Sequence, residues 1–273
     1  MLYRPLIILT LATAPVPAAA AESAAEIVRK SVIKTEANWL AAPNYSCLRT
    51  TTKSKPGHAS STLSHEILMI DGSPYHRIIA QDGKPLAAAV AKEEDQKLQR
   101  EIQRRDKESP RERAQRLRKY TEDRNRDHNL LTAIAEAFDY SFASQQAAPG
   151  AWIIEGHPKP GYVPANRDAK VLSSMNVKIW IDKATYQWIR LEAEVTQPVS
   201  LYGSLAKVSP GTRFTLDQEP VSANVWMPKH FTMQVNASAL GLLHEDFTED
   251  EMYSKYRFTP APSGIEAGPL KVR

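Results

Sequence analysis

The sequence predicts an α+β fold: a curved antiparallel sheet with one apolar and one polar face, accompanied by helices. Three observations predict it. Residues 176–195, NVKIWIDKATYQWIRLEAEV, alternate apolar and polar on both sides of a short turn, the period-two pattern of a half-buried hairpin. Residues 23–40 carry Ile27, Val28, Val32, Ile33 and Trp39 at three-to-four spacing, as an amphipathic helix does. From Lys92 to Asp127 the composition shifts to Lys, Arg, Glu and Gln with few apolar residues, which reads as helix with only a narrow buried stripe.

Taken in order, the chain begins with Arg4, an apolar run over 6–14 and small residues ending Ala19-Ala20-Ala21. This predicts a secretory signal peptide over 1–21, cleaved near Ala21, because the apolar run is too short to span a bilayer. Pro43-Asn44 ends the amphipathic helix. Residues 45–53, 63–70 and 75–80 then read as strands, the last two joined by Asp71-Gly72-Ser73-Pro74, a strong turn signal. The charged insertion, about 88–127, divides at Ser109-Pro110-Arg111-Glu112 into helices over 88–107 and 110–125. Ser109 is a good N-cap, Pro110 suits the first helical position and Glu112 completes a capping box. Their narrow apolar stripe predicts helices that project or lie loosely over the sheet. A further short helix is expected over 130–138.

Strand character resumes at 151–155, and a Pro-rich loop follows at 157–164. In the central hairpin an odd loop over 183–185 would set Ile179 opposite Ile189 and Trp180 opposite Trp188, with both tryptophans on the polar outer face. Residues 212–218, 225–235 and 245–258 read as the closing strands, with Pro228 marking an edge or a bulge. Residues 259–273 are rich in Pro and Gly and are expected to form a flexible tail. One domain over 22–258 is expected.

Composition bounds the function classes. The chain has 273 residues, 42% of them hydrophobic, and a net charge of +4 with both signs mixed. Together with the export signal, this argues against nucleic acid as a partner. The single cysteine, Cys47, excludes an intramolecular disulfide. Ser31-Val-Ile-Lys34 and Ser204-Leu-Ala-Lys207 match S-x-x-K without the companion motifs of penicillin-recognising enzymes. His65-Glu66 lacks the second histidine of a zinc helix and sits in a strand. No catalytic residue, metal or cofactor is assigned, and a non-enzymatic protein is expected.

The order of segments carries a resemblance. An N-terminal helix, a sheet region, a helical insertion, then WIDKATYQWIRLEAEV, VWMPKHFTMQV and a closing YSKYRF resemble the periplasmic lipoprotein-carrier superfamily. This superfamily comprises the outer-membrane lipoprotein-sorting proteins and relatives in envelope-stress sensing. More narrowly the chain is similar to bacterial members with a charged helical insertion after DGSPYHRIIAQDGKPL. The resemblance implies an incomplete antiparallel β-barrel, or half-barrel, covered by helices. It also implies a periplasmic location and a cavity that holds an acyl chain or other hydrophobic ligand, in lipid or lipoprotein trafficking. No functional residue is carried over. Alternation nominates Val177, Ile179, Ile189, Leu191, Phe231, Met233 and Val235 as residues that either line such a cavity or pack beneath the helices. Tyr75 and Arg77, beginning a strand after a tight turn, are rim candidates for a charged headgroup. The alternative is an envelope sensor or assembly module whose charged insertion meets another protein or a membrane surface.

Overall fold

The computed structural model describes residues 21–144, 148–166, 168–201, 206–239 and 243–260. The expected signal peptide, except Ala21, and the tail beyond 260 lie outside the described residues. Ser23 caps the first helix, α1 (Ala24–Ala41), through a capping box with Glu26. Its buried face is Ala24, Ile27, Val28, Ser31, Val32, Thr35 and Asn38. Ile33, placed in the apolar stripe by spacing alone, is 65% exposed, because one residue turns a side chain by about 100° from Val32.

Strands β1 (Tyr45–Ser54), β2 (Ser61–Ile70), β3 (Ser73–Gln81) and β4 (Lys84–Pro85) form the first sheet region. Two-residue loops join β2 to β3 and β3 to β4. At Asp71-Gly72 φ is 45° and 82°, and at Asp82-Gly83 it is 50° and 73°. Hairpin turns with two positive φ values match the twist of the strands, and Asp-Gly is the dipeptide that tolerates them. Helices α2 (Ala88–Asp106) and α3 (Pro110–Ala137) follow, then β5 (Phe138–Phe142), β6 (Ala151–Pro158), β7 (Met175–Asp182) and β8 (Trp188–Val195). Short β9 (Val199–Leu201) and β10 (Ala206–Val208) precede β11 (Arg213–Pro220), β12 (Trp226–Ala239) and β13 (Leu243–Phe258).

The main sheet runs β4-β3-β2-β1-β13-β12-β11-β8-β7-β6-β5, with β9 and β10 added beside β12. Every pairing is antiparallel. The terminal strands β4 and β5 do not pair, so the sheet is an incomplete barrel and not a closed one. The segment linking those two edges is α2 and α3, so the insertion spans the gap that closure would have filled. Pro228 sits within β12 beside the register shift at Asp217/Gln218, where a missing N–H is tolerated.

The central hairpin departs from the expected register. Asp182 N–H donates to the Gln187 carbonyl at 2.9 Å, leaving an even loop over 183–186 in which Tyr186 has φ 59°. The Asp182 carboxylate holds this loop, accepting from Ala184 N at 3.0 Å and Thr185 N at 2.8 Å. An even loop alone would set apolar against polar residues. A bulge restores the match: Ile181 pairs with Trp188, whereas Trp180 pairs with Arg190 and Ile179 with Leu191. Ile189 is the extra residue. Trp188 is therefore turned inward, 1% exposed, and its Nε1–H donates to Ser31 Oγ of α1 at 2.7 Å. The expectation of two outward tryptophans fails for Trp188. Trp180 stays half-buried, with Lys178 Nζ 5.5 Å and Arg190 Cζ 5.9 Å from its ring.

The insertion is docked, and charge docks it. Arg105, 7% exposed, donates to the carbonyls of Ile70 at 2.6 Å, Ser73 at 2.8 Å and Pro74 at 3.3 Å, and to Glu101 at 2.6 Å. Arg116 donates to Asp71 and Glu108, each as short as 2.8 Å or less. The planar guanidinium supplies several donors in a fixed fork and so replaces an apolar stripe. Expected as two helices ending at 125 and starting at 130, α3 is continuous, since no Gly or Pro interrupts 125–130. Its capping box at Ser109 and Glu112 is present as read.

Trp188→Ala is expected to lower the unfolding free energy by about 3–5 kcal/mol, and Trp180→Ala by less than about 1 kcal/mol, in urea titrations. A second expectation concerns acid. Hydrogen bonds from Arg104, then Arg105, outweigh desolvation and hold the Glu101 carboxyl down to about 2 from 4.5. A depressed folded-state value contributes stability that is present above the unfolded value and lost as pH falls through the folded one. Urea midpoints should therefore drop between pH 4.5 and about 2, and Glu101→Gln should flatten that decline.

Candidate functional site

The sheet has two unlike faces. One carries a lattice of ion pairs, Lys178–Glu155 at 3.2 Å, Arg190–Asp217 at 2.8 Å and Arg213–Glu194 at 3.0 Å, with a His230–Asp250 hydrogen bond at 2.7 Å. A depression of about 450 Å³ here is lined by Glu155, Lys178, Glu194 and Arg213 of this lattice, with Val177, Ala193 and Phe214 between them. The other face meets α1, α3 and the 3-10 segment Asp168–Ser174. Between them lies a cavity of about 560 Å³, within the range of small-molecule sites.

Its lining follows from register. Leu191, Leu216, Phe231 and Glu251 are successive cross-strand partners on β8, β11, β12 and β13, so their side chains form one row across the cavity floor. Val177, Ala193 and Phe214 form the adjacent row. Leu130, Leu131 and Ile134 of α3 and Trp39 of α1 make the roof. Trp39 is itself held by α3: its ring lies 4.6 Å from that of His128 and 3.9 Å from Arg124 Cζ.

Polar groups reach the cavity at defined points. Asn38 donates to Gln187 Oε1 at 2.7 Å and accepts from Trp226 N at 3.0 Å, fixing α1 against two strands at once. Gln218 Oε1 is buried on the lining without a hydrogen-bond partner. Glu251 is 9% exposed and accepts from Thr51 Oγ1 at 3.2 Å and Tyr253 Oη at 2.5 Å.

Of the residues nominated by alternation, Val177, Leu191 and Phe231 lie on the lining. Ile179 is fully buried in the core and Ile189 is the bulge residue. Met233 pairs with Phe214 and Val235 lies two residues further along β12; neither belongs to the lining. Tyr75 and Arg77 are away from the cavity, and Arg77 is bonded to Glu66 Oε2 at 3.2 Å and to Asp95 of α2. The lining residues Phe214 and Leu216 were not nominated, although their alternation with Arg213, Thr215 and Asp217 carried the signal. Glu251 and Gln218 had no sequence signal, since a polar residue on an inward position reads as an interruption of the pattern.

The motifs weighed for catalysis are dispersed. Ser31 is bonded inside the core to Trp188 and the Val28 carbonyl, whereas Lys34 is exposed. Ser204 lies outside the described residues. His65 and Glu66 are adjacent on a strand and so face opposite ways. Among the described residues no group of three His, Cys, Asp or Glu side chains is placed to hold a metal, and no helix is long and apolar enough to cross a membrane.

No protein-family description matches the chain, and no curated protein is similar to it by sequence. Similar folds are found among solved structures. A LolA superfamily protein from Nitrosomonas europaea is 9% identical, with a TM-score of 0.36 over 89% of this chain and 96% of that one. A putative outer membrane lipoprotein-sorting protein domain from Vibrio parahaemolyticus is 11% identical, with a TM-score of 0.34 over 88% of this chain and 95% of that one. A DUF1329 family protein from Desulfovibrio piger is 10% identical, with a TM-score of 0.35 over 90% and 96%.

Cys47 is buried near the start of β1, and burial pushes its thiol up to about 11. Since the thiolate is the reactive form, Ellman's reagent should leave the native protein unmodified at pH 8 and titrate one thiol in guanidinium chloride.

Proposed function

We propose that this is a non-enzymatic binding protein that holds an acyl chain or a similar hydrophobic ligand in the cavity beneath α1 and α3. One observation carries it: the apolar row Leu191–Leu216–Phe231 faces space, about 560 Å³ of it, and not a packed helix. The cavity opens to solvent, so the apolar side chains lining it meet water that a hydrophobic ligand would displace. Each buried methylene contributes about 0.8 kcal/mol. A chain burying about ten of them gains about 8 kcal/mol, set against association costs that begin near 4 kcal/mol. The expected export signal and the resemblance to periplasmic carriers support a periplasmic role in lipid or lipoprotein trafficking. The docking of Arg105 and Arg116 inward favours this over a reading in which the insertion is an arm for another protein.

Lipid extraction and mass spectrometry of protein purified from the cell envelope should find a bound amphiphile. Ala193→Phe fills the cavity from its floor. It should weaken binding of a fluorescent fatty-acid probe by about tenfold or more, a loss of about 1.4 kcal/mol, while the melting temperature stays within a few degrees. Unchanged probe binding by this variant would place the ligand elsewhere.

A further inference from the structure

The cavity row that begins at Leu191 ends in a polar cluster on β13, β1, β2 and β3. Arg49 of β1 stands between Tyr253 of β13 and His65 of β2, its cross-strand partners. A guanidinium offers five N–H donors, and elsewhere in this protein they are used: Arg105 and Arg116 are each bonded to several carbonyl and carboxylate oxygens. Arg49 differs. Its Nε is buried with no hydrogen-bond partner. Its Nη2 lies 3.5 Å from His76 Nδ1, and its Nη1 lies 3.5 Å from Glu251 Oε1, both at the outer limit of a useful bond. The Thr51 and Tyr253 hydroxyls serve the two oxygens of Glu251, and Arg49 adds only the long contact to Oε1.

One neighbour of Arg49 is also short of partners, and the other, His76, is exposed. His65 Nδ1 is buried with none, and the rings of His65 and His76 are 6.2 Å apart. Burial first, then Arg49, lowers the pKa of both imidazoles; Glu251 opposes this for both, and Glu94 of α2 for His65. An unsatisfied buried donor costs free energy, and a group that accepts from Arg49 Nε, and from His65 Nδ1 when that nitrogen carries a proton, relieves that cost. An oxyanion has the required lone pairs, and Arg is matched to its geometry. Glu251 and Tyr253 lie on the cavity lining, so the cluster adjoins the apolar row.

We propose that Arg49, with His65 and His76, forms a headgroup site for the carboxylate or phosphate end of an amphiphile whose chain lies along Leu191, Leu216 and Phe231. This rests on the ligand-binding reading above and names its ligand class. Binding there is coupled to protons. An anion beside the imidazoles raises their pKa above the value in the free protein, so binding takes up a proton and tightens as pH falls through the bound-state value.

Displacement of the neutral probe N-phenylnaphthylamine from the full chain tests this. Dodecanoate should displace it about tenfold more tightly than dodecanol at pH 7, and the ratio should grow from pH 8 to pH 6. Arg49→Met should abolish the ratio by weakening dodecanoate more than dodecanol. His65→Gln, a second variant that keeps Arg49 in place, should flatten the pH dependence; circular dichroism confirms folding of both. Equal binding of dodecanoate and dodecanol by the wild type, or a ratio that survives both variants, overturns the headgroup site and leaves the hydrophobic cavity standing. Displacement by neither compound overturns both. Calorimetric binding of inorganic phosphate as tight as that of dodecyl phosphate assigns the cluster to a free anion and overturns the amphiphile.

Discussion

The structure depends on the bulge at Ile189. A four-residue loop inverts the parity of a hairpin, and without correction β8 would present Arg190, Glu192 and Glu194 to the inside. The loop's parity sets Trp188 opposite Ile181 on the inner face, where its Nε1–H reaches Ser31, and the one extra residue after it restores Leu191 and Ala193 to that face. That contact, with Asn38 to Gln187 and to Trp226 N, pins α1 along one part of the sheet. The helix packs tightly over Ile179, Ile181 and Trp188 and stands off from Leu216 and Phe231. The cavity is the space that remains.

A second constraint acts at the opposite end. The edges β4 and β5 do not pair, and the chain between them is α2 and α3. These helices carry little apolar surface with which to close the gap. Arginines take its place, bonded to the carbonyls and carboxylates of the β2–β3 turn. Beyond His128 the composition of α3 becomes apolar, and there Leu130, Leu131 and Ile134 roof the cavity. One helix therefore uses charge at its start and apolar contact at its end, as the sheet beneath it changes from a polar turn to a greasy floor.

The inner face is itself divided. From β7 to β12 it is apolar apart from Gln218, and from β13 to β3 it carries Glu251, Tyr253, Arg49, His65 and His76. An amphipathic interior is costly in a protein that only needs to fold, because each polar group there must be satisfied. The hydroxyls of Thr51 and Tyr253 satisfy Glu251, while Arg49 and His65 keep unpartnered nitrogens. The division gives the cavity a direction, with an apolar end and a charged one.

Much of the fold was legible in local pattern. Ser23 and Ser109 with their glutamates marked helix starts, Asp71-Gly72 marked a hairpin, and alternation found the inner residues Val177, Leu191 and Phe231. These signals are local: a cap, a turn and a strand face depend on neighbours within a few residues. The register of β7 on β8 did not, because the loop's parity was fixed by the Asp182 carboxylate gripping Ala184 and Thr185 and by Tyr186 accepting positive φ. Hence Trp188 and Ile189 exchanged the roles that alternation gave them. The docking of the insertion was likewise hidden, since an arginine that binds backbone carbonyls looks the same in sequence as one that faces water. The amino-acid order by itself determined most of the helices and the longer strands and which strand faces are apolar, but not the unbroken α3 or the short strands β5, β9 and β10. Long-range packing decided which part of the apolar face is filled by α1, which part is left open, and that a charged cluster from four strands stands at its end.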